Sequence, residues 1–175
     1  DGAFVRDVLQ LRRVNGFGNR SPEVAASLPY TTGAMLSAAR HAVRQGGVAV
    51  APCSGFHHAG WASGGDFCTF NGLMVTAAAL HAEGAAHVGI LDCDMHYGNG
   101  TDDIIETLGT PAWVRHFTAG ARFFDAAQAW LDATRAVQAV ASGLRIRLLR
   151  PLFEHCGPAL AALRRVLKPG VRIIV

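Results

Sequence analysis

Residues 87–101 read HVGILDCDMHYGNGT, and this stretch decides the fold. The apolar run at residues 87–92 is typical of a strand that is buried within a parallel sheet. Polar residues follow it directly, and Gly98 and Gly100 permit a tight turn before a helix that is predicted over residues 101–108. A buried strand that leads through a polar turn into a helix indicates a repeating α/β unit.

The same alternation of helices and short apolar strands continues on both sides of this stretch. Upstream, the spacing of apolar residues predicts helices over residues 29–45 and 71–83 and a second buried strand over residues 48–51. Residues 9–26 are predicted to be loop with little regular structure. The predicted downstream elements are a strand over 113–117, helices over 126–140 and 158–167, and a strand over 171–175. This order predicts an α/β fold, a three-layer parallel sheet with helices on both faces.

The composition is that of a folded domain. The chain has 175 residues, of which 50% are hydrophobic and 17% are charged, so it can bury a core. Its net charge of +3 comes from scattered basic residues, so we expect no nucleic acid as a partner. The four cysteines form no CxxC pair, and free buried thiols favour a reducing compartment, here the cytoplasm. No apolar run approaches the roughly 18–20 residues that span a bilayer, so we expect no membrane partner.

The strongest candidate for chemistry is the DxDxH pattern of Asp92, Asp94 and His96, which directly follows the predicted strand. In an extended chain, side chains at alternate positions share one face. Carboxylate and imidazole groups that converge there suit a divalent metal at the edge of a sheet. Such a short motif, taken alone, is explained equally well by a strand that ends in polar loop residues.

The second candidate is the histidine pair His57-His58 in GFHHAG, residues 55–60. Taken alone, adjacent histidines are more often a solvated pair or a pair satisfied within the core. Their position after the predicted strand at 48–51 places them at the same sheet edge as the DxDxH pattern. Histidine is also the side chain best suited to move protons near neutral pH. Together, the two motifs predict a site that combines metal ligands with a base.

The third candidate is Phe67 in GGDFCTFNG, residues 64–72. A phenylalanine in a loop beside the histidines could wall a narrow substrate channel. The alternative is that Phe67 and Phe70 pack in the core, as is usual for phenylalanine.

These motifs together resemble the histone deacetylase family, including its bacterial relatives that act on acetylated polyamines or other acetylated amines. The resemblance rests on GFHHAGWASGGDFCTFNG at residues 55–72, DCDMHYGNGT at residues 92–101 and, more weakly, VRHFTAG at residues 114–120. It extends from about residue 15 to about residue 124. It implies a zinc-dependent amide hydrolase on an arginase/deacetylase-like fold.

The resemblance also implies roles for the residues that bind metal and move protons. Asp94 and His96 fall on two of the three protein zinc ligands of the family. His58 falls on the histidine that acts as general base toward the attacking water, and His57 on its electrostatic and proton-transfer partner. Asp92 matches a carboxylate that hydrogen-bonds the first histidine and helps form a site for a monovalent cation such as K⁺, near Asp92 and Asp94.

Four further residues receive roles in positioning and in substrate binding. Asn99 matches the group that orients the second histidine. Phe67 and Phe123 match the two aromatic residues that line the tunnel for the acyl chain. Asn19 falls near a loop position where many relatives carry an acidic residue that grips the substrate backbone.

The sequence also departs from the pattern of the family. The third zinc ligand of the family is an aspartate in an SAG-x-D stretch after a later strand, and its transition-state tyrosine lies further on. Neither is found in residues 1–175, which are therefore expected to be part of a single deacetylase-like domain whose N-terminal and C-terminal parts are missing. Asp66 stands where relatives often carry glycine beside the tunnel phenylalanine.

The function that this resemblance implies is zinc-dependent removal of acetyl groups from acetyl-lysine or from acetylated polyamines and other amines. The alternative is a truncated, catalytically inactive deacetylase-like module that acts in binding or assembly, because two ligands leave zinc under-coordinated. A nucleotide-binding protein is a weaker alternative, since GNGT lacks the Lys-Ser/Thr pair that holds phosphates. The sequence predicts no oligomeric state.

Overall fold

The computed structural model describes residues 1–53, 55–92, 94, 96–110 and 112–118, together with the backbone of residues 173–174. The elements in these ranges are, in chain order, α1 (Gly2–Leu9), α2 (Pro22–Gln45), α3 (Gly72–Ala82), β1 (Val88–Asp92), α4 (Asn99–Leu108), β2 (Val114–Thr118) and β3 (Ile173–Ile174). The helices predicted over 126–140 and 158–167 lie outside the described residues. None of the helices in the described ranges is long and apolar enough to cross a membrane.

The sheet is parallel, as predicted, and β1 is its central strand. The strand order is β2-β1-β3, and β1 pairs in parallel with both neighbours. Val88 pairs with Val114 and Asp92 pairs with Thr118, so β1 and β2 end at the same edge. The strands predicted over 87–92 and 113–117 are therefore confirmed to within one residue.

The main core joins this sheet to helices α3 and α4. Helix α3 contributes four buried apolar residues, β1 contributes Val88 and Ile90, and α4 contributes Ile104. Phe56 belongs to the same cluster and is only 6% exposed. Because Phe56 directly precedes His57, burial of its ring anchors the histidine pair to the core.

The strand predicted over residues 48–51 is wrong. Val48 and Val50 are 47% and 67% exposed, and within the described ranges no strand is hydrogen-bonded to this segment. A β-strand is stable only when a neighbouring strand satisfies its backbone groups. Both edges of β1 are already occupied, by β2 and by β3. The histidine pair therefore follows an irregular segment rather than a strand.

Helix α2 begins at Pro22 rather than at the predicted Pro29, so the loop prediction is wrong for the end of residues 9–26. The Ser21 hydroxyl caps the helix by accepting a hydrogen bond from the Val24 N–H at 3.2 Å. Proline suits the first helical position because the backbone N–H that it lacks would have no partner there. With these two signals the helix begins at Pro22, and Pro29 lies inside it.

Helix α1 is not predicted by the sequence pattern. Phe4 and Val8 lie one turn apart and are buried, and they pack with Leu28 of α2 in a second, smaller core cluster. The apolar residues of α1 fall on both the buried and the exposed side, and eight residues are too short a window for a clear helical period. This helix becomes evident only from its packing on α2.

The start of α4 lies directly against the histidine segment. Gly100 is buried, and a Cβ atom at this position would lie 2.6 Å from the Ala59 backbone nitrogen. The next residue, Thr101, donates its backbone N–H to the His57 carbonyl at 3.1 Å. Only glycine allows the two backbones to approach this closely.

We predict that Gly100→Ala lowers the free energy of unfolding by about 2 kcal/mol, because the added methyl group overlaps fixed backbone atoms. The midpoint of urea unfolding measures this effect. Gly33→Ala is the matched control, because Gly33 lies inside α2 with open space where a Cβ would be. That control is expected to gain up to about 1 kcal/mol in helix propensity. A Gly100→Ala midpoint as high as that of the unmodified protein would contradict the close packing.

Candidate active site

The candidate site lies at the sheet edge where β1 and β2 end, between the histidine segment and the start of α4. Asp92 is the last residue of β1. The Gly98 N–H donates a hydrogen bond to the Thr118 hydroxyl at the end of β2, at 3.0 Å. This contact turns the chain back over the sheet edge and directs it into α4.

His57 is fixed by Asp92. Its Nδ1 lies 2.7 Å from Oδ2 of Asp92, and the two side chains are only 14% and 8% exposed. The other carboxylate oxygen of Asp92 accepts the backbone N–H of Asp94 at 3.0 Å. One buried carboxylate therefore joins the histidine pair to the DxDxH segment.

His58 is fixed by the first residue of α4. Its Nδ1 lies 2.6 Å from the Asn99 side-chain oxygen. An amide oxygen can only accept, so Nδ1 of His58 carries the proton and, in the neutral ring, Nε2 offers a lone pair. The two imidazole rings lie side by side, with centroids 4.0 Å apart.

Asp94 and His96 bring a carboxylate and an imidazole together. Oδ1 of Asp94 accepts the backbone N–H of His96 at 2.7 Å and lies 3.0 Å from Nδ1 of the same residue. Partial burial acts to raise the pKa of the Asp94 carboxyl, but the hydrogen bonds from His96 outweigh it, so this pKa is lowered. Asp94 is therefore held as an anion, the form in which a carboxylate binds metal.

These two side chains fit part of a zinc site. Two ligand atoms that are each about 2.0–2.2 Å from one zinc ion lie a little over 3 Å apart, close to the separation found here. His57 Nε2 lies 3.9 Å from Asp94 Oδ1, on the same side of the cluster. Within the described ranges, no group of three or more His, Cys, Asp or Glu side chains is arranged to hold a metal ion.

A buried asparagine, which was not predicted as a site residue, joins the histidine segment to the start of α4. Asn71 donates from Nδ2 to the Ala59 carbonyl at 2.9 Å and to the Thr101 hydroxyl at 3.0 Å. Its side-chain oxygen caps α3 by accepting the Met74 N–H at 3.0 Å. The sequence offered a signal for this residue, since asparagine before an apolar helical run is typical of an N-cap.

A fourth imidazole, which was also not predicted as a site residue, lies near Asp92. His116 of β2 is 1% exposed in its side chain, and its Nδ1 lies 2.7 Å from Oδ1 of Asp102. The Tyr97 hydroxyl donates to the other oxygen of Asp102 at 2.6 Å. Nε2 of His116 lies 4.0 Å from Asp92 and has no hydrogen-bond partner in the part of the chain that the structure describes. The sequence signal for His116 was its position in VRHFTAG, two residues before the end of β2.

Of the predicted substrate-binding residues, Phe67 lies beside the histidine segment, since a Cβ atom on Gly55 would be 2.8 Å from its carbonyl oxygen. Phe67 is 69% exposed, which excludes the alternative that it packs in the core. The Asn19 side-chain oxygen accepts from Nδ2 of Asn15 and from the Ser21 N–H, so it supports the loop that leads into α2. Its role in gripping substrate remains a prediction. Phe123 lies outside the described residues.

Comparison with known proteins identifies the family. The family profile described as the histone deacetylase domain matches residues 14–148 and so extends past the motifs found in the sequence. The acetylpolyamine amidohydrolase of Mycoplana ramosa is 45% identical over 53 residues, which cover 30% of this chain and 16% of that protein. The acetylpolyamine amidohydrolase of Burkholderia pseudomallei (strain 1710b) is 32% identical over 116 residues, 62% of this chain and 33% of that protein. The chain thus spans a third or less of the length of these curated relatives.

Solved structures support the fold. The crystal structure of the acetylpolyamine aminohydrolase from Burkholderia pseudomallei, from an iodide soak, superposes with a TM-score of 0.63 at 21% identity. The superposition covers 85% of this chain and 63% of that one. The arginase/deacetylase-like fold that the motifs imply is thereby confirmed. The chain belongs to the histone deacetylase family.

Proposed function

We propose that this chain contributes the proton-transfer residues and two of the metal ligands of a zinc-dependent deacetylase site. That site hydrolyses the acetyl amide of acetyl-lysine or of acetylated polyamines and other amines. The observation that carries the proposal is the histidine pair, in which each ring is fixed through Nδ1 by a different acceptor, Asp92 or Asn99. This leaves the Nε2 atom of His58 available to a substrate, whereas Nε2 of His57 lies 3.9 Å from Oδ1 of Asp94. The names of the relatives support acetylated amines as substrates.

His58 is the general base in this proposal. Because the N–H at Nδ1 of His58 is hydrogen-bonded to the Asn99 side-chain oxygen, the neutral ring presents the Nε2 lone pair to an attacking water molecule. His58 takes one proton from that water as its oxygen attacks the acetyl carbonyl. The same proton then passes to the amine nitrogen as the C–N bond breaks, which gives the free amine and acetic acid; the acid then loses its own proton to solvent and becomes acetate.

His57 and Asp92 form the electrostatic partner of His58. The carboxylate of Asp92 is 8% exposed and accepts from Nδ1 of His57, which fixes the tautomer and orientation of that ring. The centroid of the His57 ring lies 4.0 Å from that of His58, so His57 is close enough to stabilise the charge that develops on His58 during proton transfer. Asn99 holds His58 in the same way from the other side.

Asp94 and His96 would supply two of the protein ligands of zinc. When bound, zinc would polarise the acetyl carbonyl and make the nearby water more acidic. Asp94 is suited to this role because the backbone N–H of His96, which its Oδ1 accepts at 2.7 Å, helps to keep it anionic, and the same oxygen lies 3.0 Å from the Nδ1 atom of His96. A monovalent cation near Asp92 and Asp94 is part of the same proposal.

We predict that His58→Ala lowers kcat/KM for acetyl-lysine or acetylpolyamine hydrolysis by about 100-fold to 10,000-fold, because the base is lost. Steady-state kinetics on protein expressed from the complete reading frame measures this. His41→Ala, at an exposed position of α2, is the matched control and is expected to keep its activity. Retained activity in His58→Ala would overturn the assignment of the base.

Asn99→Ala tests the positioning of that base. We predict a smaller loss of kcat, roughly 10-fold to 100-fold, because the His58 ring loses the acceptor that fixes its tautomer. Asn99→Asp retains an acceptor and is expected to lose less. Equal rates for Asn99→Ala and the unmodified protein would exclude this role.

Metal analysis tests the proposed ligands without reference to activity. After dialysis, protein from the complete reading frame is expected to retain about one zinc ion per chain, whereas Asp94→Asn and His96→Ala weaken zinc binding by more than about tenfold. Elemental analysis and a competing chelator give both quantities, and His41→Ala again serves as control. Unchanged zinc affinity in both ligand variants would contradict the site.

A further inference from the structure

Two phenylalanine rings from distant parts of the chain meet at the surface beside the candidate site. Phe17 is 50% exposed and Phe67 is 69% exposed. Their ring centroids lie 5.6 Å apart at an interplanar angle of 69°, an edge-to-face arrangement. Two large apolar rings that are held together while both remain exposed form a ready contact surface for an apolar ligand. We call these two rings the aromatic ledge.

The backbone holds Phe17 rigidly beside Phe67. The Phe67 N–H donates to the Gly16 carbonyl, and the Gly16 N–H donates to the Thr69 hydroxyl, both at 2.9 Å. The buried side chain of Asn15 accepts the Phe17 N–H at 2.9 Å. The ledge is therefore assembled before any ligand arrives, which lowers the entropic cost of binding.

The turn that carries Phe67 is strained. Asp66 and Phe67 have φ values of +49° and +64°, in a two-residue turn closed by hydrogen bonds between Gly65 and Cys68 at 2.8 and 2.9 Å. The central positions of such a turn favour glycine, asparagine or aspartate, so Asp66 suits its position whereas the bulky Phe67 is costly there. The backbone thus keeps Phe67 exposed at the expense of stability, which points to a role in binding.

The ledge adjoins the histidine segment. A Cβ atom on Gly55 would lie 2.8 Å from the Phe67 carbonyl oxygen, so the backbone of Phe67 rests on the residue two positions before His57. Gly16 is packed as closely against the backbone of Cys68. Phe17 is therefore linked to the histidine segment through a continuous series of tight backbone contacts.

We infer that Phe17 is a substrate-specificity residue, whose ring forms with Phe67 an aromatic ledge that binds the methylene chain of an N-acetylated alkylamine as it enters the site. This inference rests on the proposed function and adds a residue to it. A longer methylene chain covers more of the ledge, so Phe17 favours long over short alkyl groups. The Phe17 ring contacts substrate but takes no part in proton transfer.

Kinetics with two uncharged substrates of different length tests the ledge. In protein from the complete reading frame, Phe17→Ala is expected to raise KM for N-acetylhexylamine about fivefold, from the apolar area no longer covered. The expected rise for N-acetylpropylamine is below about twofold, and kcat for the long substrate is expected to change little. Phe17→Tyr, which keeps the ring, should restore the preference for the long chain. Tyr30→Ala, at an 80% exposed aromatic position of α2, is the control and should change neither KM.

Direct binding separates failure of the ledge from failure of the proposed function. Calorimetry of N-acetylhexylamine with the His58→Ala protein is expected to show about fivefold weaker binding when Phe17→Ala is added. Phe17-dependent binding without any hydrolysis by the unmodified protein would overturn the proposed function and leave the ledge supported. Hydrolysis that is equally insensitive to Phe17 for both substrates would overturn the ledge alone.

Discussion

The site depends on one close backbone approach, that of the start of α4 to the histidine segment. Gly100 lies against Ala59 with no space for a Cβ, and the Thr101 N–H donates to the His57 carbonyl. Asn71 reinforces this contact because its Nδ2 donates both to the Ala59 carbonyl of the histidine segment and to the Thr101 hydroxyl of α4. Because the two segments are locked together, Asn99 at the first position of α4 reaches the ring of His58. A shift of α4 by about 1 Å away from this segment would lengthen the 2.6 Å contact between Asn99 and His58 beyond hydrogen-bond distance.

Hydrogen bonds between buried polar residues hold the side chains of the cluster in one arrangement. Asp92, Asn71 and Thr101 are buried polar residues, and each is hydrogen-bonded within the cluster. A buried polar group without a partner costs free energy, so each bond fixes its donor and its acceptor in one arrangement. His116 differs, since its Nε2 faces Asp92 at 4.0 Å without a hydrogen-bond partner among the described residues. The most buried groups thus support the histidine pair, while Asp94 and His96 remain accessible.

Local patterns in the sequence predicted a large share of this arrangement. The apolar run of β1 and the apolar stretch of α3 are short-range signals, and both elements were confirmed. Helix α4 was also predicted, but it begins at Asn99 rather than at residue 101, so Gly100 lies in its first turn and not in the turn before it. The strand at 48–51 failed because strand formation depends on a partner, and no local pattern reports whether a partner lies alongside. Helix α1 was missed for a related reason, since only packing against Leu28 of α2 distinguishes its buried residues Phe4 and Val8 from its exposed apolar residues.

The sequence by itself determined the α/β alternation, the family and the residue types at the site, because these are carried by short motifs of fixed spacing. The tertiary structure decided which of these residues meet. The pairing of His57 with Asp92 and of His58 with Asn99 joins positions that are 35 and 41 residues apart. It arises because Gly100 admits the backbone of the histidine segment and because Thr101 then binds the His57 carbonyl, which holds this irregular segment beside the end of β1. The ring of Phe17 beside Phe67 was decided in the same way, by contacts that no local pattern encodes.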